Sequence, residues 1–304
     1  MGTPALRTEN LTKRYGRVLA LDGLDLTVQP GEVFGFLGPN GAGKSTTIRL
    51  VLGMLRPTSG RAWIFGVDAA DVAAAHRLVG YVPPDVALWP SLTGAEILEL
   101  VARLGPGVDA AYRDELVGRF DLEVDRRAGT YSTGNRQKVA LVAAFAARAP
   151  LLVMDEPTGG LDPLMEREFR RCVAEARERG QTVFLSSHQL SEVEAVCDRV
   201  GILRSGRLVE VAGLADLRRL RRTELEVSCD GVPDGLGNLS SLTGVDRVDW
   251  PAPGLLQVSL VGSPGPLLHR ITTALTTGTT LTSLRVREAT LEEIFLDYYG
   301  SGAE

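Results

Sequence analysis

Gly38-Pro39-Asn40-Gly41-Ala42-Gly43-Lys44-Ser45-Thr46 leaves this chain little freedom in how it folds. The nine residues fit G-x-x-x-x-G-K-[S/T], and their flanks make the match meaningful. Before them, Val33-Phe34-Gly35-Phe36-Leu37 is a continuous apolar run of the kind found in a strand buried on both faces. After them, Ile48, Leu50, Val51, Leu52 and Leu55 recur at helical spacing, which predicts a helix over 46–55 ended by Arg56-Pro57. Glycines let successive backbone N–H groups turn inward around phosphate oxygens, and the N-terminus of the next helix adds partial positive charge. Lys44 would supply a full charge at the β and γ phosphates, and the Ser45 hydroxyl is placed to ligate Mg2+. Lysine occurs at only three positions, Lys13, Lys44 and Lys138, so one at the required place is less readily an accident.

Leu151-Leu152-Val153-Met154-Asp155-Glu156 is a second informative segment, four apolar residues ending in two acids. A buried strand that ends in acids is costly unless they have work to do. At the C-terminal end of a strand, where α/β proteins bind ligands, Asp155 can join a Mg2+ shell and Glu156 can polarise a water as general base. A helix cap or a surface ion pair is the plainer reading of the same two residues. His188 follows the apolar stretch 182–185 through Ser186-Ser187, again at a strand end. Alone it would read as a surface or capping histidine; beside two such sites, it is expected to contact the γ phosphate.

The remaining pattern organises the chain. Alternation over 6–11 and 19–28, with a turn signal at Asp22-Gly23, predicts short antiparallel strands at the start. Residues 91–125 read as helical, with Ile97, Leu98, Val101 and Leu104 on one face and Leu116, Val117 and Phe120 on another. Strands over 151–154 and 182–185 beside helical stretches give the rhythm of a parallel sheet with crossovers, so the first two hundred residues are α/β. Beyond 220, strands at 225–228, 255–261 and 281–286 with helices at 267–275 and from Leu291 predict a smaller α+β unit. The division is drawn as 1–220 and 221–304, near a cluster of Arg218, Arg219, Arg221 and Arg222. That cluster is open to two readings, contact with acidic headgroups or a partner, or a solvated face.

A formal net charge of −5 argues against a nucleic-acid binder that relies on a broad basic face. The longest apolar run, 139–147, is far short of the roughly 20 residues that span a bilayer, and residues 1–10 lack the features of a secretory leader. A cytosolic protein is expected. Cys172, Cys197 and Cys229 stand far apart and read as reduced thiols.

The order of these elements resembles the nucleotide-binding subunit of ABC transporters over 6–213. The segment Tyr131-Ser132-Thr133-Gly134-Asn135-Arg136-Gln137-Lys138 carries the resemblance: it is similar to that family's signature and precedes the Asp155-Glu156 strand by one helix, expected over 135–149. The strict signature has glycine at Thr133 and glutamine at Asn135. The resemblance implies a P-loop NTPase fold with an antiparallel β subdomain, a parallel-sheet core and a helical subdomain at about 81–140. It implies ATP and Mg2+ as ligands, and a homodimer joined head to tail. Ser132 and Gly134 would then meet the γ phosphate of the partner's nucleotide, a hydroxyl, a bare backbone and a helix N-terminus forming an anion site. Tyr15 would stack on adenine, unless it is an ordinary strand-edge tyrosine. Gly160-Leu161-Asp162 would couple the two sites, and His188 would be the switch histidine. One departure stands out: Pro84 occupies the place of a glutamine that usually touches Mg2+. Either Asp85 or a water replaces it, or the subunit couples differently. The ending Ala289-Thr290-Leu291-Glu292-Glu293-Ile294-Phe295-Leu296 is similar to ATPase subunits of bacterial drug, antibiotic or lipid exporters, although an amphipathic helix packed on its own domain explains it equally well.

The resulting expectation is an ATP-hydrolysing dimer on the inner face of the membrane, powering a separate permease for export and docking through 81–125. A soluble ATPase of the same type that remodels an assembly is the second reading. A non-hydrolysing module, favoured by Pro84 and disfavoured by Glu156, is the third.

Overall fold

The chain begins with a hairpin, β1 (Leu6–Tyr15) and β2 (Val18–Val28), whose turn is Gly16-Arg17. The expected turn at Asp22-Gly23 is a bulge inside β2 instead. Between the pairs Leu11↔Leu24 and Lys13↔Leu21, β2 carries one residue more than β1, and Gly23 absorbs it at φ +63°. A glycine with positive φ serves a bulge as well as a turn, so the local signal does not tell them apart.

The computed structural model of this chain describes residues 2–105, 107–219, 222–230, 239–261, 264–275 and 280–288. They fall into two compact units that divide between Leu214 and Ala215. In the first, β3 (Val33–Leu37) is buried at every position and runs into the glycine loop and α1 (Lys44–Val51). The helix is shorter than 46–55 predicts at its far end, because Gly53 at φ +65° stops it and the N–H groups of Met54 and Leu55 return to the Arg49 carbonyl. Pro57 therefore does not end it. β4 (Ser59–Ile64) and β5 (Val67–Asp68) complete an antiparallel sheet of order β2-β1-β4-β5.

After α2 (Val72–Ala75) and β6 (Val79–Val82) come three helices: α3 (Gly94–Leu104), α4 (Ala110–Arg119) and α5 (Thr133–Ala146). A capping box between Thr93 and Glu96 starts α3. Ile97 and Leu98 of its apolar face are buried, but Leu104 on the same face is 76% exposed. Periodicity alone overstated what that face covers. On α4, Arg119 pairs with Glu168 and Glu175, which tethers this helical region to the following helix α6 (Pro163–Glu178).

β7 (Leu151–Asp155), β8 (Thr182–Ser187), α7 (Leu190–Val196), β9 (Arg199–Arg204), β10 (Arg207–Gly213) and α8 (Leu214–Arg219) follow. The second sheet has the order β10-β9-β3-β8-β7-β6, parallel except for the edge strand β10. Phe34, Phe36 and Phe184 meet in its core, with Phe184 5.9 Å from Phe34 and 5.4 Å from Phe36 between ring centroids. Since β3, β8 and β7 are parallel neighbours, their C-terminal ends open on one side of the sheet. The antiparallel sheet, the parallel core and α3 to α5 are the three parts the sequence implied.

The second unit holds β11 (Arg222–Cys229), β12 (Val245–Ala252), β13 (Leu255–Val261), α9 (Gly265–Leu275) and β14 (Leu281–Glu288) in an antiparallel sheet of order β12-β13-β11-β14. Leu225, Val227, Leu256 and Val258 face Leu267 and Ile271 of α9 in its core. The α+β expectation fits. β12 escaped the sequence reading because Arg247, Asp249 and Pro251 break its alternation, which an edge strand tolerates. The helix expected from Leu291, the exporter-like ending 289–296, and the side chains of the arginine cluster lie outside the described residues.

Cys172 and Cys197 are buried free thiols and Cys229 is a partly exposed one. Burial pushes the Cys172 thiol up to about 12. Among the described residues no helix is long and apolar enough to cross a membrane.

Candidate functional site

The glycine loop is shaped by contacts that leave no room for side chains at two positions. A Cβ on Gly38 would lie 2.4 Å from the Leu203 carbonyl oxygen, and one on Gly43, at φ +113°, would lie 2.7 Å from that of Ala20. Ala42 is buried, and its carbonyl accepts from the Gly206 N–H, so it anchors the loop instead of lining it. Pro39 accepts from the Ala42 N–H at 3.1 Å. α1 begins with no side-chain cap and no acid in its first turn, so the positive end of the helix is left bare. Lys44 is only 5% exposed and folds back over the loop, its Nζ donating to the carbonyls of Gly38 at 2.7 Å and Pro39 at 3.3 Å. Together Asn40, Gly41, Lys44, Ser45 and Thr46, with Ala20 and Glu156, line an open pocket of about 160 Å³. Backbone N–H groups, a helix end and an ammonium converge there, which is chemistry for a polyanion.

β7 and β8 bring the acids beside it. Asp155 is fully buried; its Oδ1 accepts from the Ser186 hydroxyl at 2.6 Å, while its Oδ2 has no hydrogen-bond partner among the described residues. A buried carboxylate oxygen without a donor suits a cation. No cluster of three or more His, Cys, Asp or Glu among the described residues could hold a metal. Hydroxyl, phosphate and water oxygens would have to complete the shell, as magnesium prefers. The donor set therefore fits Mg2+.

Glu156 sits at φ +49°, left-handed backbone that is uncommon for a residue with a side chain. Its N–H is held by the Ser186 carbonyl and hydroxyl, each at 3.2 Å. The carboxylate reaches two ways, Oε1 lying 3.5 Å from Lys44 Nζ and Oε2 3.3 Å from His188 Nδ1. Three residues nominated separately from the sequence thus form one chain of contacts. Neither Asp155 nor Glu156 caps a helix; that position before α6 belongs to Asp162, which accepts from the N–H groups of Leu164 and Met165.

Ser132 and Gly134 do not line the Lys44 pocket. Ser132 caps α5 by accepting from the Asn135 N–H at 3.2 Å, and α5 starts at Thr133, ahead of the expected 135, and stops at Ala146 instead of 149. Gly134 faces the loop before α6, where an added Cβ would lie 2.5 Å from the Gly160 carbonyl oxygen. Buried Gln137 fastens the same loop by donating to Pro157 O at 2.9 Å. Gly134→Ala is therefore expected to destabilise the first unit by about 1–3 kcal/mol, the usual cost of forcing atoms into a filled space. A thermal melt equal to that of the wild type would show that the two loops are not packed this closely.

Tyr15 ends β1 and is 45% exposed, with the Lys13 ammonium 5.1 Å from its ring centroid; it does not line the pocket. Pro84 and the exposed Asp85 follow β6, whose Val82 pairs with Met154, so both lie at the same sheet end as Asp155. Ser186, Ser187 and Glu192 escaped the sequence reading as parts of the site. The available signal was a pair of hydroxyls ending a buried strand, read only as the approach to His188.

A family model described as ABC transporter matches residues 21–159. The chain is 32% identical to the bacitracin transport ATP-binding protein BcrA of Bacillus licheniformis, over 98% of each chain. It is 33% identical to the linearmycin resistance ATP-binding protein LnrL of Bacillus subtilis (strain 168), over 97% of this chain and 98% of that one. In structure it is similar to a dimeric post-hydrolysis state of the ATP-binding cassette MJ0796 bound to ADP and Pi. That match has a TM-score of 0.62 and 25% identity, over 69% of this chain and 98% of the other.

Proposed function

The chain belongs to the ABC transporter family as an ATP-binding, ATP-hydrolysing subunit, and from that premise we propose that it energises a separate permease exporting an antibiotic, drug or lipid-like compound. The observation that carries the reading is the carboxylate of Glu156 held between Lys44 and His188 above the glycine loop.

In this reading Gly38 to Thr46 cradle the phosphates of ATP. Lys44 exchanges its bonds to the Gly38 and Pro39 carbonyls for phosphate oxygens, which releases Glu156 from the ammonium. Ser45 and Asp155 would hold Mg2+, which when bound offsets the negative charge of the β and γ phosphates. Glu156 accepts the proton of the attacking water, and His188, in contact with it, faces the γ phosphate. Tyr15 stacks on the adenine.

Ser132 and Gly134 serve the nucleotide of a second copy, bound head to tail, and Gly160 to Asp162 couple the two sites. The close approach of Gly134 to the Gly160 carbonyl supports this, because it joins the signature directly to the coupling loop. ATP closes the dimer and hydrolysis reopens it. The helical region 81–125 receives the permease, with Pro84 leaving coupling to other groups. The second unit, drawn from the sequence as 221–304 and beginning at Ala215 in the structure, serves as an accessory, regulatory unit. The subunit would sit in the cytoplasm against the inner face of the membrane, with no nucleic-acid partner. Two relatives named for bacitracin transport and linearmycin resistance align along nearly the whole chain, which supports the cargo class.

Tagged protein drawn from detergent-solubilised native membranes is expected to bring a polytopic membrane protein in stoichiometric amount, identified by mass spectrometry. A purely soluble set of partners would overturn the transport reading in favour of a remodelling ATPase.

A further inference from the structure

Glu192 on α7 does not line the Lys44 pocket, yet it joins the loop after β7 to the end of β8, the two segments that carry Glu156 and His188. Its Oε1 accepts from the Thr158 hydroxyl and its Oε2 from the Ser187 hydroxyl, each at 2.5 Å. Thr158 lies just beyond Glu156, and Ser187 lies immediately before His188. The Ser187 hydroxyl also accepts from the Gln189 N–H at 2.9 Å, so His188 is bracketed on both sides. One carboxylate oxygen therefore holds the loop that opens with Glu156 and the other holds the strand end that leads into His188, and those two side chains meet at 3.3 Å.

We infer that Glu192 is a positioning residue for ATP hydrolysis, setting the separation of Glu156 from His188 by clamping Thr158 and Ser187 on one carboxylate. The inference rests on the reading of Glu156 and His188 as the hydrolytic pair. Its physical ground is the place of Glu156 in the chain. β7 ends at Asp155, and Glu156 opens the loop that runs to α6, in a backbone conformation that its own chemistry does not favour. Ser186 holds that loop at its first residue, and Glu192 holds it again at Thr158. An ionised carboxylate suits the task because it accepts on both oxygens at once, which an amide does on one only. Displacing a catalytic group by about 1 Å costs on the order of a hundredfold in rate, so a clamp of this kind has leverage on turnover without touching ATP.

The test is steady-state hydrolysis of Mg-ATP by the full chain, with ATP binding and thermal melting measured on the same samples. Glu192→Ala is expected to lower kcat at least about tenfold while KM and the ATP dissociation constant stay within about threefold. Glu192→Gln, keeping one carbonyl acceptor, is expected to fall between. Thr158→Val, which removes one donor with little change in shape, should reproduce part of the loss and add nothing in the Glu192→Ala background. Glu156→Gln is run in parallel. If it hydrolyses ATP as the wild type does, the hydrolytic pair is misread and this inference falls with it. If it is inactive while Glu192→Ala keeps wild-type kcat, or loses kcat, binding and melting temperature together, the positioning role alone is overturned.

Discussion

Glu156→Gln is expected to lower ATP turnover at least about a hundredfold, the usual contribution of a general base, while ATP still binds. The amide has the shape of the carboxylate but cannot take a proton from water. Binding survives because the substitution leaves the glycine loop, the bare end of α1 and the contacts of Lys44 with the Gly38 and Pro39 carbonyls in place. It also removes the negative charge 3.5 Å from Lys44, which then needs no release before it meets phosphate. With hydrolysis blocked, the ATP-bound dimer should accumulate, and light scattering should report a doubled mass with ATP and a monomer without it. A variant that stays monomeric with ATP would remove the head-to-tail arrangement. One that hydrolyses at the wild-type rate would remove Glu156 as the base.

Lys44→Ala is expected to weaken ATP binding by roughly tenfold to a hundredfold, which corresponds to losing a charged hydrogen bond worth about 1.5–3 kcal/mol. The fold should survive. The Glu156 carboxylate left behind is 31% exposed and stays solvated, and it keeps His188 as a neighbour. Titration with a fluorescent ATP analogue measures the affinity, and thermal melting separates a binding defect from unfolding. Hydrolysis should fall further than affinity does, since the charge that Lys44 offsets grows as the γ phosphate leaves. Affinity equal to the wild type would place the phosphate site elsewhere.

The loop from Gly38 to Thr46 is readable because its chemistry is local: three glycines, a lysine and a hydroxyl at set spacing act through the backbone that joins them. Asp155, Glu156 and His188 were readable as individual strand-end residues for the same reason. From sequence the bulge at Gly23 reads as a turn and Pro57 reads as the end of α1, because Gly53 and Gly23 act through a backbone angle that their neighbours in sequence do not reveal. Leu104 shows the matching error for burial, since periodicity names a face without saying whether anything covers it.

By itself the sequence determined the order of strand, phosphate loop and helix, the apolar strands of the core, the acids at their ends, and a smaller α+β unit behind them. Those follow from spacing and composition along one stretch of chain. The tertiary structure alone decided which ends meet. Lys44, Glu156 and His188 come into contact because β3, β8 and β7 are parallel neighbours, an order set by crossovers and by packing of the whole core. Only it shows why position 134 has no room for a side chain, with the Gly160 carbonyl standing where a Cβ would be. Only it makes Glu192 more than a polar residue on a short helix, since its two partners lie in the loop after β7 and at the end of β8. Local patterns specify which groups are present, and long-range pairing of the strands specifies the distances between them, on which the chemistry depends.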